Sequence, residues 1–463
     1  MRYRFIKYRK QPKHEGILRY FIFCAWLFVS IGFLNTSYGY KYNAILTSKI
    51  SNGNSPDKLT ATSFFAGTKL YGTFASSYTF NFATPSTTLT FPYGNKNGNC
   101  IDDYQINGPT INEFDLTISK EPPVSDNFIT SGFKISLDTG QNIRDVGPYT
   151  GNYSYYTRDM YDKQLWGFRQ AYICFRFPVG SGLKMDIGEK NYSIGYESYN
   201  LSRTWNNTYS LIAATEPGGL TGIFLNYHFL KNLKSTMGVA FTNSAMFPVD
   251  RYPTYEFSLT YKPLNYLVFY EGMVYGAENF IIYGNNLIPD NLNKFFYNFI
   301  GTEFSYFKGY DFVLDYEVGL NGGINKSFVY NNAINISNLP SSGAYPNQFI
   351  STSDSTFNKS RFSGVAFYIH HYKTHNFGRF SQTLRLTDVL DPQGLWETAS
   401  IPGEAFHYFD YTFTIGLRPN IKIMKNIQYR LEFERQLSNQ DIYGDGNSSQ
   451  NMMNLMMIYT FSR

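Results

Sequence analysis

Charge is scarce in this chain: Asp, Glu, Lys and Arg make up 16% of its 463 residues, against roughly 25% in soluble domains. Cysteine numbers three. Cys24 lies in an N-terminal apolar run with no lipobox around it, which argues against a lipoprotein. Cys100 falls in a polar loop and Cys174 in a strand-like run, a spacing that gives no reason to expect a disulfide. Histidine numbers six, and no Gly-rich phosphate loop or nucleophile–His–acid set appears. Past the N-terminus no stretch approaches the roughly 20 apolar residues of a spanning helix. What is abundant is the aromatic ring, at 19% with 41 Tyr and 42 Phe. A soluble fold would need a very large core to hide so many, whereas a barrel facing lipid has a whole outer surface to cover with them.

The N-terminus has its own character. Arg2, Arg4, Lys7, Arg9, Lys10, Lys13 and Arg19 precede the apolar run Phe21–Leu34, and Ser37-Tyr38-Gly39 supplies small residues before Tyr40. A basic head, a short apolar middle and a small-residue cleavage site read as a secretory signal over residues 1–39. The alternative, an uncleaved anchor helix, is disfavoured because the run is short. Taking seven basic groups and one acidic group from the totals of 40 and 35 leaves 33 and 34, a net charge of −1. The basic character therefore belongs to the signal, and no case for a nucleic-acid partner survives. Residues 40–68 read as an N-terminal periplasmic extension and 69–463 as the folded body.

Along that body apolar and polar side chains alternate. Leu70, Gly72, Phe74, Ser76, Tyr78, Phe80 and Phe82 share one face, and Tyr71, Thr73, Ala75, Ser77, Thr79 and Asn81 the other. A period of two puts one face against an apolar medium and the other against water. The pattern recurs: Phe114, Leu116 and Ile118 against Glu113, Asp115 and Thr117; Phe312, Leu314 and Tyr316 against Asp311, Asp315 and Glu317; Tyr429, Leu431 and Phe433 against Arg430, Glu432 and Glu434. Each segment is about ten residues long, enough for a tilted strand to cross a bilayer.

The connections alternate too. Short turns fall at 178–182, 230–233, 262–265, 307–310, 371–377 and 419–426, and long polar loops at 84–111, 140–167, 191–220, 244–253, 276–295, 321–361, 388–407 and 438–450. Thr208–Ala214 is assigned to a loop, since a strand there would break both the alternation and the even count. The expected fold is all-β, a transmembrane antiparallel β-barrel of 16 strands, with 18 as the alternative count, short periplasmic turns and long external loops. Closure leaves no unpaired strand edge in hydrocarbon.

The segment QAYICFRFPVGSGLKMDIGEKNYSIGYE (170–197), with the aromatic loop, Glu216-Pro217 element and hairpin that follow, resembles the OmpL-like β-barrel porin family. KLYGTFASSYTFNFATP (69–85) is similar to that family's opening strand. LRLTDVLDPQG and FTIGLRPNIKIMKNIQYRLEFERQLSNQD are similar to its closing strands, with Thr387-Asp388 and Glu434-Arg435 departing from the usual pairs. The resemblance implies an outer-membrane location, a last strand read by the barrel assembly machinery, and passage of small hydrophilic solutes or ions. It implies no cofactor. A homotrimer is possible by analogy with 16-stranded porins.

Function in such a barrel rests on what narrows the lumen and which charges line it. The loop from Asn191 to Leu220 carries Tyr192, Tyr196, Tyr199, Trp205 and Tyr209 together with Glu197, Arg203 and Glu216, and is expected to fold inward as a constriction. On the wall, Lys184, Asp186, Asp315, Glu317, Arg385, Arg418, Arg430, Glu432 and Glu434 fall on lumen-facing positions. Their mixed signs argue against a strong charge filter. The cluster His370-His371-Tyr372-Lys373-Thr374-His375 reads as turn-lining or interfacial rather than metal-binding. Tyr261, Tyr266, Tyr306, Tyr310 and Tyr459 fall beside short turns, as a periplasmic aromatic girdle requires. A passive diffusion pore is the leading reading. A structural or adhesive barrel without an open pore is the second, and a lipase- or protease-like barrel enzyme the third.

Overall fold

The computed structural model describes residues 67–82, 108–124, 127–140, 166–191, 194–216, 219–243, 253–277, 281–283, 286–288, 294–321, 360–392, 405–441, 443 and 447–462. The expected signal, most of the N-terminal extension, Cys100 and most of the long loops lie outside the described residues. The elements in chain order are β1 Lys69–Asn81, β2 Gly108–Lys120, β3 Thr130–Thr139, β4 Trp166–Phe177, β5 Leu183–Lys190, α1 Leu211–Thr215, β6 Leu220–Leu230, β7 Leu233–Asn243, β8 Thr254–Leu264, β9 Leu267–Ala277, β10 Ile281–Tyr283, β11 Asn286–Ile288, β12 Lys294–Phe304, β13 Tyr310–Asn321, β14 Ser360–His375, β15 Gly378–Asp391, β16 Phe406–Pro419, β17 Ile427–Ser438 and β18 Ser449–Ser462.

Sixteen of these strands pair antiparallel, each with its neighbours in sequence, and β1 pairs with β18 to close the barrel. The other two, β10 and β11, form a small hairpin inside the connection between β9 and β12. Both termini of the wall, at β1 and β18, lie at the short-turn rim. At that rim β6 and β7 are joined by two residues, as are β8 and β9. The turn between β14 and β15 is also two residues, Asn376 and Phe377. This corrects the expected turn at 371–377: β14 continues through His375, since His371 to His375 stay paired with Gln382 to Gly378.

The alternation seen in the sequence is the alternation of the wall. Tyr78, Ile300 and Leu455 point outward with about half their surface exposed, while Thr73, Ser77, Thr79 and Asn81 point inward and are buried. The outward girdle at the short-turn rim includes Tyr261, Tyr306, Tyr310 and Tyr459, all exposed. There Tyr266 packs edge-on to Tyr306 and Phe304.

The register is regular except at bulges. Between β1 and β2 the pairing skips Asn112, and between β3 and β4 it skips Arg169. A bulge re-aims the extra side chain, and Arg169 thereby reaches the inward carboxylates Glu113 and Asp138. Gly188 on β5 has φ +133°, and a Cβ there would run into the Ala171 carbonyl of β4.

Candidate functional site: the inward loop and the passage beside it

The connection after β5 turns into the barrel. An irregular segment inside a closed wall must find partners for every backbone amide and carbonyl, and the inward polar residues of distant strands supply them. On the β1–β2 side, Leu201 N–H donates to Glu113 at 2.8 Å and Asn200 Nδ2 to the Thr73 hydroxyl at 3.1 Å. On the β16–β18 side, Glu432 accepts from the amides of Asn207 (2.7 Å) and Thr208 (3.0 Å) and from the Thr208 hydroxyl (2.7 Å). Arg430 donates to the carbonyls of Thr204 (2.6 Å) and Asn206 (2.8 Å). Arg385 donates to the Thr208 carbonyl at 2.5 Å.

Apolar contacts complete the seat. Ile194, Leu211 and Ile212 bury themselves against inward-facing Phe224, Val274, Tyr297, Phe299, Tyr368 and Tyr408. Leu201 and Tyr209 meet Met456 and Ile458 on the opposite side. The Trp205 indole stacks on the His370 imidazole with centroids 4.6 Å apart. Thr208–Ala214 is no wall strand: Ser210 caps α1, its hydroxyl accepting from the Ala213 amide at 3.3 Å.

The charged residues expected at the site divide into three groups. Arg385 has no exposed surface and lies 3.4 Å from Glu197, 3.5 Å from Asp410 and 3.6 Å from Glu434. Arg430, Glu432, Glu434, Asp315 and Glu317 also face inward but are buried, the first three against the loop itself. Glu197 is held by Arg385 and by the Ser210 amide at 2.7 Å. Burial still pushes its carboxyl above the usual range against the pull of Arg385. Burial likewise pushes the Glu216 carboxyl well up, reinforced by Glu317, Asp315 and Glu197 nearby. The second group, Lys184, Asp186 and Arg203, borders open space, and Glu197 also reaches its edge. Arg418 stands apart near the short-turn rim, donating to Gln428 at 3.1 Å.

The open space is a cavity of about 590 Å³ between the loop and the wall from β1 round to β12. Its lining is mainly polar, including Thr117, Ser136, Gln170, Asn226, Thr236 and Thr260. Sequence reasoning missed Asp115, Lys134, Lys190 and Lys234 on this lining, although each lies at an inward position of its strand. It also missed Asp410 and the Arg169–Glu113–Asp138 group. The histidine run divides between the faces. His370 turns inward with its Nδ1 2.8 Å from Thr383, and His371 turns outward against Tyr310.

A closed wall with an apolar outer band, a polar inner face and a loop seated inside defines a β-barrel of the pore-forming architecture. The sequence matches the family described as "Putative beta-barrel porin-2, OmpL-like" over residues 68–461, and the chain belongs to that family. It is accordingly an outer-membrane porin channel. No curated protein matches the sequence. Among solved structures, the outer membrane channel DcaP of Acinetobacter baumannii is similar at 13% identity, covering 86% of this chain and 98% of that one, with a TM-score of 0.48. OmpF of Salmonella typhi in complex with daunomycin is similar at 9% identity, covering 85% and 97%, with a TM-score of 0.49.

Proposed function

We propose that the barrel is a passive diffusion pore for small hydrophilic solutes, constricted by the loop 191–219. The observation that carries this reading is the pairing of a loop fixed to opposite walls with a polar cavity of about 590 Å³ left beside it. The seat uses more than ten hydrogen bonds and two apolar clusters, so the loop is a built part of the lumen. Glu216 belongs to its buried side, Arg203 to the side facing the passage, and Glu197, fastened to Arg385, borders the cavity as well. No step of chemistry is assigned to the barrel.

A homo-oligomer fits one feature of the outer face. By register Glu271 lies there between Leu259 and Ile300, a carboxylate amid apolar neighbours. Such a group is costly against lipid and is better accommodated against protein. Cross-linking of the native protein in its membrane tests this, and a purely monomeric pattern overturns it.

The test of the pore itself is single-channel recording of the protein purified from outer membranes and inserted in a planar bilayer. Discrete ohmic steps are expected. Silence from a protein that is folded and inserted, as judged by heat-dependent gel mobility, refutes the reading.

A further inference from the structure

We infer that the passage beside the loop prefers small anions over cations of equal size. This rests on the pore reading above and adds to it a sign of charge. The sign is decided by which inward charges lie buried at the seat of the loop and which border the passage. Among carboxylates, Glu113 and Asp138 are held by Arg169, and Glu197, Asp410 and Glu434 surround Arg385. Glu432 is occupied by the loop amides and the Thr414 hydroxyl. Asp186 is shared by two ammonium groups, Lys184 at 3.4 Å and Lys190 at 3.2 Å, and accepts from Asn226 as well.

The cations are not matched in the same way. Lys134 and Lys234 on the wall and Arg203 on the loop line the cavity, and none has a carboxylate within ion-pair distance among the described residues. Arg379 and Arg418 stand side by side across β15 and β16 at the short-turn end. Arg379 stacks on Tyr372 at 3.9 Å and Arg418 bonds the amide of Gln428, so neither is neutralised by an acid. Against these five stand Asp115, which accepts from Thr117 and Ser136, Glu303, which accepts from Tyr270, and Asp311, while the acids Glu216, Glu256, Asp315 and Glu317 are buried away from the cavity. Lys184 adds to the basic side, and its second partner, Glu121, sits at the exposed rim.

Carboxylates are concentrated at the buried seat of the loop, and the charge bordering the passage is mainly basic. The unpaired cations stand on β3, on β7, on the loop and at the short-turn end of β15 and β16, so they are spread along the passage rather than marking one point. With a Debye length of about 10 Å at 0.1 M salt, neighbouring fields overlap along the passage. The side-chain amides of Gln170 and Asn226 supply N–H donors to a partly dehydrated anion.

The test is the zero-current potential of the reconstituted protein across a tenfold KCl gradient, potassium and chloride being of nearly equal mobility. A local potential of about one kT raises chloride over potassium about sevenfold, and a chloride preference of that order is expected at 0.1 M. It should collapse at 1 M, where the Debye length falls to about 3 Å. The double variant Lys134→Glu/Lys234→Glu should reverse the sign. Lys134→Gln/Lys234→Gln, which introduces no new charge, should reduce the preference while leaving gel mobility unchanged. Ohmic conduction with a potassium preference, or a chloride preference untouched by both variants, overturns this inference and leaves the pore reading standing. Silence from a folded, inserted barrel removes both.

Discussion

Arg385→Ala strikes the point where wall and loop are most tightly joined. The guanidinium has no exposed surface and three carboxylates within 3.6 Å, one of them Glu197 on the loop. Deleting one partner of a buried ion pair costs about 3–5 kcal/mol, because the remaining charge is left uncompensated. Here three carboxylates would be left around the vacated space, and a charge-assisted hydrogen bond to the Thr208 carbonyl is lost, worth about 1.5–3 kcal/mol. The loop keeps its other anchors, with Glu432 on two amides and Arg430 on two carbonyls. The variant should therefore assemble but hold the Glu197–Ser210 contact poorly. Single-channel records should show a noisier open level and a larger mean conductance. Limited proteolysis of the folded barrel should cut within 191–219, where the parent protein resists. Arg385→Lys retains the charge without the planar fork and should lie between the two. A quiet Arg385→Ala channel of parental conductance and protease resistance would refute the idea that this cation fastens the loop.

Three further outcomes are expected. Arg169→Met leaves Glu113 and Asp138 buried without their cation and should cost about 3–5 kcal/mol, read as a lower temperature for the loss of folded gel mobility; adding Glu113→Gln and Asp138→Asn should restore part of it. Trp205→Ala removes the stack on His370 and the contacts with Tyr196 and Tyr368, a loss of about 3 kcal/mol, at the low end for Trp because the ring is not fully buried, and protease sensitivity of the loop should rise without loss of the barrel. Glu216 has a carboxyl raised by burial and by Glu317, so its contribution to the seat is full below the ordinary value of 4.5 and is lost as pH rises through the raised value. Open-level noise should therefore increase with pH across that window in the parent and stay flat in Glu216→Gln, and equal pH dependence in both would exclude the carboxyl as its source.

The barrel was legible because lipid on one side and the lumen on the other impose a period of two, and the rims impose a short-long rhythm. The chain obeys both in β1, β2, β13, β16 and β17. The interior was less legible where that rule is suspended. In β12, KFFYNFIGTEF is apolar on both faces, the pattern of a strand buried on both sides. Tyr297 and Phe299 point inward because Ile212 and its neighbours cover them. No periodicity announces a covering loop, although the aromatic density of 191–220 marked the segment that does the covering. The convergence of Arg385, Asp410 and Glu434 depends on the register of β15, β16 and β17, which sequence spacing cannot supply. Arg169 depends on a bulge that inserts one residue without a local signal.

Inward-facing parity also says less about selectivity than it first suggests. A loop of irregular backbone inside the wall needs donors for its carbonyls and acceptors for its amides. Arg430 and Arg385 serve the first need, Glu432 and Glu113 the second. These side chains face the lumen for the sake of the loop, and a solute passing on the other side of it never meets them. The signs on the wall look mixed in the sequence because anchors and lining share the inward face. Once the anchors are set aside, what remains on the β3, β5 and β7 wall is mainly lysine, with Arg203 facing it from the loop. A near-neutral barrel can thus present a basic path, provided the acids are the charges spent on holding the constriction in place.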